Sequence, residues 1–128
     1  MTTTPEYPTS QTSSTPPAST IYSSRARFPL GHVVATPGAL RLLQESGFSA
    51  AALISRHVQG CWGDISDADK AENEFAVTRR LRIVSCYRLV DAERLAATPK
   101  DKRSLLPAVL VITEADRSVT TVLCRDEY

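Results

Sequence analysis

The hydrophobic period of the chain changes near Arg82, and that change limits the folds open to it. Before it come three segments with helix start and stop signals. After it, RIVSCYRLV, residues 82–90, sets Ile83, Ser85, Tyr87 and Leu89 on one face and Val84, Cys86, Arg88 and Val90 on the other, the alternation of a strand. Thr36 followed by Pro37 is a cap and a first-turn proline, so a helix is predicted from 37 to about 46, stopped by Gly47. Ser49 opens a second helix that ends at Gly60, with Phe48 before the cap placed to pack on Leu53. Ser66 with Asp69 three residues on is an acidic form of the capping box, and Asp67 and Asp69 suit the positive end of a third helix reaching about Val77. Residues 28–34 are a short strand or an extended lead-in to the first helix.

Past the first strand, residues 91–107 are a polar connection with room for one helical turn and little more. The continuous apolar run 109–112 then reads as a strand covered on both sides, and 119–124 closes a hairpin with it. The order predicts an α+β domain over residues 28–128: about three short helices followed by a small antiparallel meander, with the helices on one sheet face. Residues 1–27 are read as a disordered tail, because 1–24 are Ser, Thr or Pro at seventeen of twenty-four positions and offer too little apolar surface to offset ordering. With 128 residues, 42% of them hydrophobic, one core is expected.

Charge narrows the class of partner. Of fifteen basic and fourteen acidic residues, Arg25, Arg27 and Glu6 belong to the tail, so the domain carries thirteen of each and is neutral. A protein that holds phosphates by charge normally carries a basic excess, so a protein partner is favoured over nucleic acid. Cys61, Cys86 and Cys124 are odd in number and show no CxxC spacing, which fits reduced thiols in the cytoplasm; no metal or cofactor site is predicted. No apolar stretch approaches the roughly 20 residues of a membrane span.

Two stretches carry the polar chemistry. In ISRHVQGCWGD, residues 54–64, His57 falls in the last helical turn, where the helix end favours its protonated form, with Arg56 and Asp64 near in sequence. It is either an acid or base, or a cap for helix-end carbonyls with Trp62 packed beneath. In TEADRSVTT, residues 113–121, Asp116 explains a turn without glycine. Alternation is read as placing Thr113 and Thr121 together on an inward face as cross-strand neighbours, with Glu114 pairing Arg117 across the turn. Inward threonines need polar company, so Arg56 or His57 is expected to reach this cluster.

ATPGAL (35–40), ISRHVQGCWGD (54–64) and VITEADRSVTTVLCRDEY (111–128) together resemble a family of small, uncharacterised bacterial proteins labelled plasmid-related, carried on plasmids and integrative elements. The resemblance covers residues 28–128. The family usually reads RHxxGDWG where this chain has Arg56 to Gly63 with Cys61 in place of the acid, and its strand connection is usually shorter than 91–107. The resemblance implies a genetic setting and no mechanism. Two functions are compatible with the residues. The preferred one is an accessory protein of a mobile element that binds a host or defence protein, using residues among Arg56, Trp62, Asp64, Tyr87, Thr113, Asp116 and Thr121. The other is a metal-independent ribonuclease of the barnase and RelE type, with His57, Glu114 and Arg117 as catalytic groups and Arg82 or Arg88 on the phosphate.

Overall fold

A computed structural model describes residues 25–128; the stretch 1–24, read above as disordered, lies outside them. Strand β1 (His32–Ala35) leads into helix α1 (Pro37–Ser46). Thr36 Oγ1 accepts the Ala39 N–H at 3.1 Å, and Gly47, at φ 75°, turns its N–H back to the carbonyls of Leu43 and Gln44. These partners satisfy the main-chain groups that a helix end leaves over. Helix α2 (Ala50–Val58) is capped by Ser49, and α3 (Asp67–Arg79) by Ser66, with Asp67 and Asp69 in its first turn. Helix α3 runs two residues past Val77 and stops at Arg80, a left-handed residue at φ 54°.

Strand β2 (Ile83–Arg88) follows, then β3 (Ala108–Thr113) and β4 (Val119–Cys124) as a hairpin. Between β2 and β3 the chain is more regular than its composition implies. Asp91 caps helix α4 (Ala92–Ala97) by accepting the Arg94 N–H, and a 3-10 stretch spans Lys100–Leu105. The fold class is α+β, as the change of period predicts. The sheet is not a three-stranded meander, however. Its order is β1-β4-β3-β2, with β1 parallel to β4 and the other pairs antiparallel, so it is mixed and four-stranded. A four-residue strand has no periodicity of its own to announce it; β1 is fixed by its pairing with a strand 87 residues later in the chain (His32 with Val119).

Phe28, Leu30, Leu43, Leu53, Val58 and Trp62 pack with Ile83, Tyr87, Val111 and Val122 between the helices and one sheet face. The other face carries a smaller cluster of Cys86, Ala108, Leu110 and Ile112. All six residues of β3 are buried, as an unbroken apolar run requires. Arg27, grouped above with the tail, is tied to this body: its N–H donates to the Val58 carbonyl and its guanidinium meets Glu74 at 2.7 Å. Among the described residues no helix is long and apolar enough to cross a membrane.

Candidate functional site

His57 leaves the last turn of α2 and enters the core rather than capping carbonyls, and it is completely buried. Phe28 and Trp62 flank it edge-on, with ring centroids 5.3 and 6.0 Å away. Nδ1 lies 2.6 Å from Ser85 Oγ, Nε2 lies 2.9 Å from Thr113 Oγ1, Thr113 Oγ1 lies 2.7 Å from Thr120 Oγ1, and Thr120 Oγ1 donates to the Leu30 carbonyl at 2.8 Å. The last contact assigns the protons of the whole chain. A carbonyl only accepts, so Thr120 gives its proton to Leu30 and accepts from Thr113; Thr113 therefore accepts from His57 Nε2–H, and Nδ1 accepts from Ser85. The imidazole is the neutral Nε2–H tautomer. Burial lowers its pKa to about 3, the opposite of the helix-end protonation read from sequence. Desolvation of a charge outweighs the helix dipole here.

His57 thus reaches the hairpin threonines, as expected, but the threonine pair differs from the one predicted. Thr113 faces Thr120, and Thr121 faces Ile112 on the other side of the sheet. Glu114 N–H bonds to the Val119 carbonyl, so the loop has an even number of residues, 115–118, and an odd-numbered position on β3 must face an even-numbered one on β4. The Glu114–Arg117 pair is likewise not formed. Glu114 meets Arg82 at 3.3 Å. Arg117, at φ 61° and 6% exposed, threads inward and donates to the carbonyls of Leu81 (2.7 Å), Ala76 (2.9 Å) and Glu114 (3.1 Å). It fastens the hairpin to the C-terminal end of α3, where a cation suits the helix dipole. Asp116 accepts from the Ser118 N–H and hydroxyl at 3.0 and 2.6 Å, as a turn residue should.

His57, Glu114 and Arg117 therefore do not share a surface. Thr113 brings its neighbour His57 to the helix side of the sheet, and strand alternation turns Glu114 to the opposite side, beside Arg82. The sheet stands between the imidazole and the carboxylate.

Four other residues named from sequence do converge. Arg56, Trp62, Asp64 and Tyr87 line an open groove of about 1040 Å³ between the start of α3, the end of β2 and the α4 connection. Tyr87 is buried and donates its hydroxyl to the Cys61 carbonyl at 2.5 Å, and Arg56 lies over its ring at 4.7 Å. Burial raises the Tyr87 pKa, so the phenol stays protonated as a donor. Trp62 is 4% exposed, a plug as expected, with its Nε1–H on Glu74 at 3.1 Å. Asp64 holds Arg88 at 2.8 Å and Arg103 at 3.3 Å; burial lifts its carboxyl, and the two guanidinium groups outweigh that and keep it below the usual range. Charges far apart in the sequence thus neutralise each other inside the molecule.

Sequence reasoning missed Lys70, Lys100 and Arg103 in this groove. They come from α3 and the 3-10 stretch, and no local pattern links them to residues 54–64. Five cations line the groove against the three carboxylates of Asp64, Asp67 and Asp91. Among the described residues Arg56, Lys70 and Lys100 have no carboxylate partner. Comparison with protein-family models, curated proteins and solved structures returns no match.

Proposed function

We propose that the chain is a non-enzymatic interaction protein whose working surface is the groove beside Trp62 and Tyr87. In the genetic setting implied by the plasmid-related resemblance, it is an accessory protein of a bacterial mobile element that acts in the cytoplasm on a host or defence protein. The observation that carries the reading is the set of three cations, Arg56, Lys70 and Lys100, held around an open groove without carboxylates of their own. Exposed cations without carboxylate partners add little to stability, and their field over the groove steers and selects an acidic partner. The burial of His57 and Arg117, and the position of Glu114 across the sheet, weigh against the ribonuclease alternative, because a general acid and base must both reach one phosphate.

The reading is tested by immobilising the full chain and its Arg56→Glu/Lys100→Glu variant and passing a bacterial lysate over both. A specific protein retained by the parent and lost from an equally stable variant is the expected result. Retention indifferent to both charges, or cleavage of labelled single-stranded RNA in chelator that His57→Ala and Glu114→Gln abolish, would overturn it.

A further inference from the structure

Strand β2 is an edge of the sheet. The Leu89 N–H reaches the Pro107 carbonyl at 2.8 Å, on the β3 side, in register with the ladder that pairs Tyr87 with Val109. Odd-numbered residues of β2 therefore direct their main-chain groups toward β3, and those of Val84, Cys86 and Arg88 point to the outside. Such a row is a template for another strand, and proteins normally blunt it.

Here two of the three outward positions are blunted by the protein itself. At Val84 the buried side chain of Asn73 imitates a strand: its Nδ2 donates to the Val84 carbonyl at 2.8 Å and its Oδ1 accepts the Val84 N–H at 3.2 Å. At Cys86 the loop after α2 does the same with main chain. Cys86 N–H donates to the Trp62 carbonyl at 3.1 Å, and the Asp64 N–H donates to the Cys86 carbonyl at 2.7 Å, a single parallel bridge centred on Gly63. A Cβ on Gly63 would stand 2.0 Å from the Cys86 oxygen, so the approach needs glycine.

Arg88 is the third position, and among the described residues nothing covers it. Its main-chain N–H and C=O have no partner there, while its guanidinium is held by Asp64 and the Leu106 carbonyl. The side chain is only 6% exposed although the residue as a whole is half-buried, so the main chain accounts for part of its exposure. That open rung lies in the groove, with Val90 just beyond it, Ile65 and Leu95 as apolar walls, and around it Arg56, Lys70 and Lys100, which have no carboxylate partner among the described residues.

We infer that the groove takes an extended acidic segment of a partner protein as an added strand, which continues the Gly63 bridge along the β2 edge and pairs with the main chain of Arg88. The inference rests on the interaction reading above and specifies its partner. A peptide suits the site because an open rung offers one donor and one acceptor, and a peptide unit supplies the complement of both. A phosphate backbone accepts only, and would leave the Arg88 carbonyl unpaired in the groove. Alternation in the added strand would turn one set of side chains to Ile65 and Leu95 and would let acidic ones in the other set meet the three cations.

Short random peptides displayed on phage and selected against the full chain provide the probe. Enrichment of sequences that alternate apolar and acidic residues is expected. In synthetic form they should bind with about tenfold loss on either Arg56→Glu or Lys100→Glu and a similar loss on N-methylation of the one peptide amide that faces Arg88. Hydrogen exchange at the Arg88 amide should slow on binding. No enrichment, enrichment without acidic residues, or tighter binding of a single-stranded oligonucleotide with the same charge dependence overturns the inference. Peptides that depend on both cations yet leave Arg88 exchange unchanged overturn strand addition alone; the interaction reading stands or falls separately on the lysate experiment.

Discussion

Acidification should destabilise this protein well above the pH at which its carboxylates titrate, and His57 is the cause. The imidazole has an ordinary pKa of 6.5 and one of about 3 in the folded chain, lowered by burial. The unfolded chain therefore binds a proton that the folded chain refuses. The contribution of neutral His57 is fully present above pH 6.5 and is lost as the pH falls from 6.5 toward 3. At about 1.4 kcal/mol per pH unit, pH 5 should remove roughly 2 kcal/mol relative to pH 7.5. This is a large share of the 5–15 kcal/mol typical of a domain. The carboxylates of Asp64, Glu74, Asp116 and Glu127 are all held below their ordinary values, so their own losses begin below about pH 4.5 and leave the interval from 7.5 to 5 to His57. Urea denaturation across that interval, for the parent and for His57→Gln, measures the effect. The variant starts less stable but should lose about 2 kcal/mol less on acidification. Parallel stability curves for the two, or an imidazole resonance that titrates above pH 5 in the folded protein, would refute the assignment of a neutral, buried ring.

The hairpin register makes a second test. Thr120→Val should cost roughly 1–3 kcal/mol by orphaning the Leu30 carbonyl and the Thr113 hydroxyl, whereas Thr121→Val, on the other face, should stay within about 0.5 kcal/mol in the same denaturation assay. Trp62→Ala should destabilise by roughly 3–5 kcal/mol as a large-to-small core change that also frees Glu74, and an equally stable variant would make Trp62 a surface anchor. Arg117→Met should cost several kcal/mol, on the order of 2–4, because three carbonyls lose a charged donor at once; a melting temperature within error of the parent would show that the hairpin does not need this fastening.

The helices were legible because their signals are local. Thr36, Ser49 and Ser66 each cap the helix their positions predict, and Gly47 stops the first one, since a cap involves residues three or four apart. The mixed sheet was not legible, because β1 acquires its identity from residues near the other end of the chain. The error at Thr121 is of a different kind. Alternation within each strand was read correctly, and the parity across the turn was not: an even loop exchanges odd for even, so one miscounted residue moves a hydroxyl to the wrong face.

The candidate site shows why residue type alone misassigns function. His, Glu, Arg and hydroxyls in one short inventory suggested proton transfer, yet in this fold most of them satisfy one another. His57 links a helix to three strands through Ser85, Thr113 and Thr120, and Arg117 holds the carbonyls of Ala76 and Leu81 at the end of α3. The helices and strands described leave many element ends to tie down, and buried polar groups do so with directional bonds that apolar side chains lack. The residues left over point the other way. Among the described residues Arg56, Lys70 and Lys100 have no carboxylate partner, although Arg56 also covers the Tyr87 ring, and they line the groove with the outward rung of β2 that neither Asn73 nor the Gly63 loop closes. The β2 edge is blunted at Val84 and Cys86 and, among the described residues, open at Arg88; unguarded edges carry an aggregation hazard, and under the proposed reading the neighbouring cations would disfavour a strand that is not acidic.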